Sequence, residues 1–169
     1  EQAQAVAQTA AYLTEHASDS DAPEYLWNAK MRFGKTFTTY QLAKRMGWTR
    51  ILVLTYKPAV GGAWRDDLEG HTDFAGWRFK GKDDSASDPA FSPDDAAPLV
   101  WFASFQDVLG RNGDAPKEKN DNLYLIDWDC IVVDEYHFGG WRDGAKAFYA
   151  DDTSEEEAIH APDLEEETP

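Results

Sequence analysis

Apolar residues along this chain fall into short continuous runs, separated by stretches of helical periodicity and by polar, Gly- and Pro-rich connectors. Gln2 to His16 carries Ala, Val, Tyr and Leu at helical spacing with no Gly or Pro, which predicts a helix. Ser18 to Pro23 is the polar connector that ends it, and Tyr25 to Ala29 predicts a first strand. A second helix is expected from about Lys35 to Met46, with Gly47 as its C-terminal cap. Arg50 to Thr55, with Ile51-Leu52-Val53-Leu54 at its centre, is uninterrupted in its apolar character. Such a run marks a strand buried on both faces of a parallel sheet. Pro58 suits the first turn of a helix, which Gly61 and Gly62 weaken ahead of Trp64 to Leu68. His71 to Lys80 predicts a strand, and Gly81 to Pro98, rich in Asp, Ser, Ala and Pro, a long mobile loop.

Leu99 to Ala103 is a further apolar strand, followed by a short helix over Ser104 to Leu109 and a turn-rich loop over Arg111 to Pro116. Lys117 to Asp127 fits helix or strand, and helix is preferred. Asp129 to Val133 is the last predicted strand, and Arg142 to Ala150 has a helical pattern. Strands alternating with helices predict an α/β fold around a mostly parallel sheet. In such sheets ligands bind beyond the carboxyl ends of the strands. No internal repeat is visible.

The chain has 169 residues, enough for one domain with a real core, and seven Trp, seven Tyr and nine Phe supply the apolar bulk. No run of apolar residues is long enough to span a membrane, and no signal peptide is evident. A single cysteine, Cys130, cannot form an internal disulfide, so a reducing cytoplasm is the expected location. Because Cys130 lies in an apolar run, an inert thiol is expected. The first residue is Glu rather than Met, which points to a segment of a longer chain. The net charge of −16 argues against a nucleic-acid partner until its distribution is considered. Nine acidic side chains and no Lys or Arg lie in 151–169, so more than half of the excess sits in a tail too polar to pack. The organisation expected is a domain over 1–150 and an acidic, disordered linker or tail over 151–169.

Two polar motifs interrupt the apolar runs. From Ala29 the chain reads Ala29-Lys30-Met31-Arg32-Phe33-Gly34-Lys35-Thr36, a phosphate-binding loop between a predicted strand and a predicted helix. Backbone N–H groups and the helix dipole would converge there on an anion. Lys35 would reach the β- and γ-phosphates of a nucleotide and the Thr36 hydroxyl would hold Mg²⁺. About a hundred residues later Ile131-Val132-Val133 delivers Asp134 and Glu135 at a strand end. Two adjacent carboxylates repel unless a cation separates their roles. A Mg²⁺ shared by Thr36 and Asp134 leaves Glu135 to polarise a water aimed at the γ-phosphate.

Asp134-Glu135-Tyr136-His137 resembles the DExH box of superfamily 2 helicases and translocases, and Ala29 to Thr36 is similar to their first motif. Leu52 to Val60 resembles their motif Ia, and Phe102-Ala103-Ser104-Phe105-Gln106 their Thr/Ser-Gln segment. More narrowly, Leu26 to Thr36 and Asp134 to Trp141 resemble the motor of large bacterial restriction-modification enzymes, in which one chain also carries nuclease, methyltransferase and target-recognition parts. The resemblance implies an N-terminal RecA-like domain, a P-loop three-layer sandwich, in a motor that uses ATP and Mg²⁺ to move along duplex DNA. It implies ATP contacts from residues 29 to 36, with Lys35 and Glu135 catalytic and Asp134 on the metal. It further implies that His137 couples nucleotide state to DNA or to a second RecA-like domain. Thr55, Lys57, Ser104 and Gln106 would touch the DNA backbone without reading sequence, and Gln2 matches a glutamine that reads adenine.

Two departures qualify this. Arg32 and Phe33 stand where most relatives have Gly and a small residue, and a side chain at 32 disfavours positive φ. Arg32 could instead add a charge-assisted phosphate contact. No third motif, second motor domain or arginine finger appears before Pro169, and a finger is worth roughly 10³ to 10⁵ in turnover. Weak ATP binding and very slow hydrolysis are therefore expected of these residues alone. Three other readings compete: a different P-loop enzyme such as a small kinase, a non-catalytic nucleotide-binding interaction module, and a nuclease using the paired carboxylates. Only Arg142 beyond His137 could serve a kinase lid, and the phosphate loop leaves the nuclease unneeded.

Overall fold

A computed structural model describes residues 1–134, except 31, 86–87, 89–90, 110, 113–114 and 117–119. Met31, Glu135, His137, the helix expected over Arg142 to Ala150 and the acidic tail lie outside the described residues.

Helix α1 (Gln2–Glu15) is followed by α2 (Lys35–Met46), which stops at Gly47 with φ 73°. There the Gly47 and Trp48 N–H groups return to the Lys44 and Ala43 carbonyls, an ending that needs a left-handed residue. Strand β1 (Arg50–Thr55) leads through a 3₁₀ turn at Pro58–Val60 into α3 (Gly61–Glu69). Then come β2 (Arg78–Lys80), β3 (Leu99–Ser104) and the one-turn helix α4 (Phe105–Val108). A small antiparallel ribbon, β4 (Arg111–Asn112) and β5 (Ala115–Pro116), precedes α5 (Asp121–Leu125) and β6 (Cys130–Asp134). The principal sheet has the order β2-β3-β1-β6 and every pairing in it is parallel. The chain is thus an α/β protein with a four-stranded parallel sheet. No helix among the described residues is long and apolar enough to cross a membrane.

Alternation along the central strands sorts their side chains onto two covered faces. Ile51, Val53, Val100 and Phe102 pack against Tyr40 and Ala43 of α2, Trp64 and Leu68 of α3, and Phe74. Leu52, Leu99, Trp101 and Ala103 point the other way, onto Phe91, Leu123 and Ile126. Helix α1 lies outside α2, joined to it by Val6, Ala10 and Leu42. Strand β6 is less enclosed. Its alternate residues Ile131 and Val133 are 57% and 39% exposed, which marks it as the edge strand of the described sheet. Its register is set at the start: the Asp129 carboxylate accepts hydrogen bonds from the Thr49 and Arg50 N–H groups at 2.7 and 2.9 Å. The ladder then runs without offset until Thr55 stands opposite Asp134.

Three expectations are corrected. Tyr25 to Ala29 forms no strand. Its aromatic residues are taken up by α1 instead, where the Trp27 indole donates to the Thr9 hydroxyl at 2.7 Å and Tyr25 packs edge-on against Tyr12. His71 to Lys80 is a strand only in its last three residues. The His71 ring accepts from the Asp73 N–H and starts a 3₁₀ turn over Thr72–Phe74, and Gly76 at φ 88° turns the chain again. The described residues between Gly81 and Pro98 form a loop, as expected, but a fastened one. Phe91 is buried in the core, Arg65 pairs with Asp84, and Arg78 with Asp95. The Ala97 N–H, and after it Arg78, hold the Asp95 carboxyl below the usual carboxylate range. Lys80 is buried between Trp101 and Phe91, its Nζ 4.6 and 5.5 Å from their ring centres, and donates to the Asp84 carbonyl.

Burial, and after it the neighbouring Asp129, pushes the Cys130 thiol up to about 11. At pH 8 only roughly one such thiol in a thousand is ionised, against about a quarter for an unperturbed cysteine. Iodoacetamide should therefore alkylate native Cys130 on the order of a hundredfold more slowly than the urea-unfolded chain. Equal rates, followed by mass spectrometry, would contradict this placement of the thiol.

Candidate functional site

The carboxyl ends of three strands finish level. Thr55 of β1 stands opposite Ser104 of β3 on one side and Asp134 of β6 on the other. Facing this edge is the start of α2, because the loop before it turns sharply. The Phe33 N–H bonds to the Lys30 carbonyl at 3.2 Å, Arg32 adopts φ 64°, and Gly34 caps the helix at φ 81°. Gly34, as the N-cap, offers no side chain to the first turn of α2. The N–H groups at a helix start carry partial positive charge.

Lys35 and Asp134 are 99 residues apart in the chain, yet Lys35 Nζ lies 3.2 Å from Asp134 Oδ1. The lysine side chain is 39% exposed and the carboxylate only 11%. On the other side the Trp64 indole N–H donates to Asp134 Oδ2 at 3.4 Å. Thr36 stands at the second position of α2. The Thr38 and Thr39 hydroxyls bond back to the Gly34 and Lys35 carbonyls, both at 2.9 Å. Thr36, in contrast, has no hydrogen-bond partner for its hydroxyl among the described residues, and it is half-buried. One shielded carboxylate and one unspent hydroxyl suit Mg²⁺, which keeps several waters and takes further oxygens from a phosphate. No group of three His, Cys, Asp or Glu among the described residues could enclose a metal by itself.

The other residues singled out in the sequence distribute as follows. Ala29 is half-buried, while Lys30 and Arg32 are exposed on the loop. The Gln2 side-chain amide donates to the Phe33 carbonyl at 2.6 Å, and a Cβ on Gly34 would run into that same amide. Gln2 therefore packs onto the loop itself. Thr55 and Ser104 are buried and their hydroxyls accept from the Lys57 and Asp107 N–H groups, which caps the turns after β1 and β3. Lys57 and Gln106 are exposed at that edge, flanking Tyr56 and Phe105, whose rings stack at 4.3 Å.

Two features escape a reading of the residues alone. The first is Trp64, which looks like any core aromatic of α3 until the fold sets it against Asp134. The second is Arg32, which occupies the left-handed region despite its side chain, at a cost of about 1 kcal/mol. Arg32→Gly should therefore raise the Tm by a few degrees. A lowered Tm would mean that the loop does not hold residue 32 in that conformation, because glycine elsewhere costs backbone entropy.

No family model matches the chain, and no solved structure matches it. Over 121 residues, 68% of this chain, it is 40% identical to a Mycoplasma pneumoniae protein described as "Putative type II restriction enzyme and methyltransferase" C-terminus. The match covers 17% of that relative's length. The chain is thus similar to one part of a protein described as a restriction enzyme and methyltransferase.

Proposed function

We propose that the chain is the ATP-binding part of a superfamily 2 DNA helicase or translocase motor, set within a restriction-modification enzyme and coupling ATP hydrolysis to movement on duplex DNA. The observation that carries this reading is the 3.2 Å approach of Lys35 to Asp134, at the first turn of α2 and the carboxyl end of a parallel strand. A phosphate loop and a strand-end carboxylate brought together in this way suit a nucleoside triphosphate with its metal. On this reading the fold is a RecA-like P-loop domain.

In the proposed site the backbone of residues 29 to 34 cradles the phosphates and Lys35 gives up Asp134 for the β- and γ-phosphate oxygens. Thr36 and Asp134 hold the Mg²⁺, which when bound neutralises charge on the phosphoryl oxygens. Glu135, next in the chain after Asp134, orients and polarises the attacking water. Gln2 steadies the loop and borders the base, and His137 links the nucleotide state to DNA or to a second RecA-like domain. Lys57 and Gln106, at the turns capped by Thr55 and Ser104, meet the DNA backbone. Support for the restriction-modification setting comes from the relative's description. Nuclease and methyltransferase domains of a parent chain, and a cytoplasmic location, follow from that setting as proposals.

Calorimetry with ATP·Mg²⁺, together with phosphate release with and without duplex DNA, tests this. The 169 residues should bind ATP·Mg²⁺ weakly and turn it over very slowly whether or not DNA is present, since no arginine finger is visible in them. No binding would sink the nucleotide reading. Brisk DNA-stimulated turnover would sink the need for a second motor domain.

A further inference from the structure

We propose that Trp64 is a positioning residue for Asp134, its indole N–H fixing one carboxylate oxygen so that the other is presented to a divalent cation arriving with a nucleoside triphosphate. This role rests on the nucleotide-binding reading above and adds to it a residue that lies in neither polar motif.

Two of the donors that meet Asp134, Lys35 and Trp64, differ in kind. Lys35 reaches it with a charged, partly exposed ammonium on a flexible stem. Trp64 is 2% exposed and locked in place. The Tyr40 hydroxyl donates to its backbone carbonyl at 2.8 Å, the Tyr40 ring packs edge-on at 5.6 Å, and Phe102 lies 6.3 Å away. A buried indole N–H requires an acceptor, and Asp134 Oδ2 at 3.4 Å supplies it. The contact spans 70 residues of sequence and ties the core face of α3 to the end of β6.

The neutrality of that donor is what matters for a metal site. A second ammonium or guanidinium on Asp134 would repel a cation. An indole N–H orients the carboxylate without adding charge. When Lys35 turns towards phosphate, the oxygen it leaves remains aimed, because the opposite oxygen stays on a residue packed in the core. Contacts of this kind behind a metal ligand commonly alter metal affinity 10- to 100-fold.

The test uses the whole chain and reads ATP binding by calorimetry across a series of Mg²⁺ concentrations. Trp64→Phe keeps an aromatic ring and removes the N–H. The Mg²⁺ concentration giving half of the metal-dependent gain in ATP affinity should rise about tenfold. Binding of metal-free ATP should stay within twofold of the unaltered chain, which a general loosening of the core would not allow. An unchanged Mg²⁺ dependence overturns the role of Trp64 while leaving the nucleotide reading intact. Failure of the unaltered chain to bind ATP·Mg²⁺ overturns both. Should Trp64→Phe not fold by circular dichroism, 3-benzothienylalanine in place of Trp64 keeps the bicyclic shape with sulfur for the N–H. The same tenfold shift supports the role, and no shift refutes it.

Discussion

Replacing Lys35 by alanine is expected to weaken ATP·Mg²⁺ binding by about 10- to 100-fold. A charge-assisted hydrogen bond to a phosphate oxygen contributes roughly 1.5 to 3 kcal/mol, and each 1.4 kcal/mol is a factor of ten. The loss should be one of binding rather than folding. The Lys35 side chain is 39% exposed, so solvent screens its pairing with Asp134. Asp134 keeps the Trp64 indole when the ammonium is removed. Thermal unfolding without nucleotide should therefore change little. The stabilisation that saturating ATP·Mg²⁺ gives the unaltered chain should largely disappear. Equal heats of binding for the two proteins would favour a module that keeps the fold without gripping phosphate through Lys35.

The largest effect on stability is expected at Phe102. This ring is 5% exposed at the middle of β3, stacks on Phe79 at 6.3 Å and meets Trp64 at the same distance. Gly61, the first residue of α3, rests so close that a Cβ there would lie 2.9 Å from the ring edge. The ring therefore ties a strand, the neighbouring strand and the helix that carries Trp64. Phe102→Ala should cost about 3 to 5 kcal/mol, from lost burial and from a cavity the parallel sheet cannot close. Against a total of roughly 5 to 15 kcal/mol this is a large share. Urea unfolding should show a lowered midpoint at an unchanged slope. A loss below about 1 kcal/mol would mean that the site collapses around the smaller side chain.

Strands with both faces covered were plain in the residues. Ile51 to Leu54 and Leu99 to Ala103 need apolar side chains on both sides, so their runs are unbroken and their boundaries nearly coincide with β1 and β3. The approach of Lys35 to Asp134 was legible for a related reason, since each follows a feature that parallel sheets bring to one edge. Tyr25 to Ala29 misled because aromatic residues suit a strand and a helix-packed extended segment equally well. In His71 to Lys80 the spacing of Phe74, Trp77 and Phe79 imitates a strand. There the turn chemistry of His71, Asp73 and Gly76 prevailed. Phe91 lay hidden in a loop whose Asp, Ser and Pro content signals solvent, because one buried anchor scarcely alters composition. The left-handed Arg32 could not be anticipated either, as its side chain argues against the conformation that the helix start imposes.

The most direct test of the site is a crystal structure of the chain with a non-hydrolysable ATP analogue and Mg²⁺. Lys35 Nζ should then lie about 3 Å from a β- or γ-phosphate oxygen, having left Asp134, with the metal between the phosphates and the Thr36 and Asp134 oxygens. A triphosphate bound elsewhere, with Lys35 still paired to Asp134, would contradict the account.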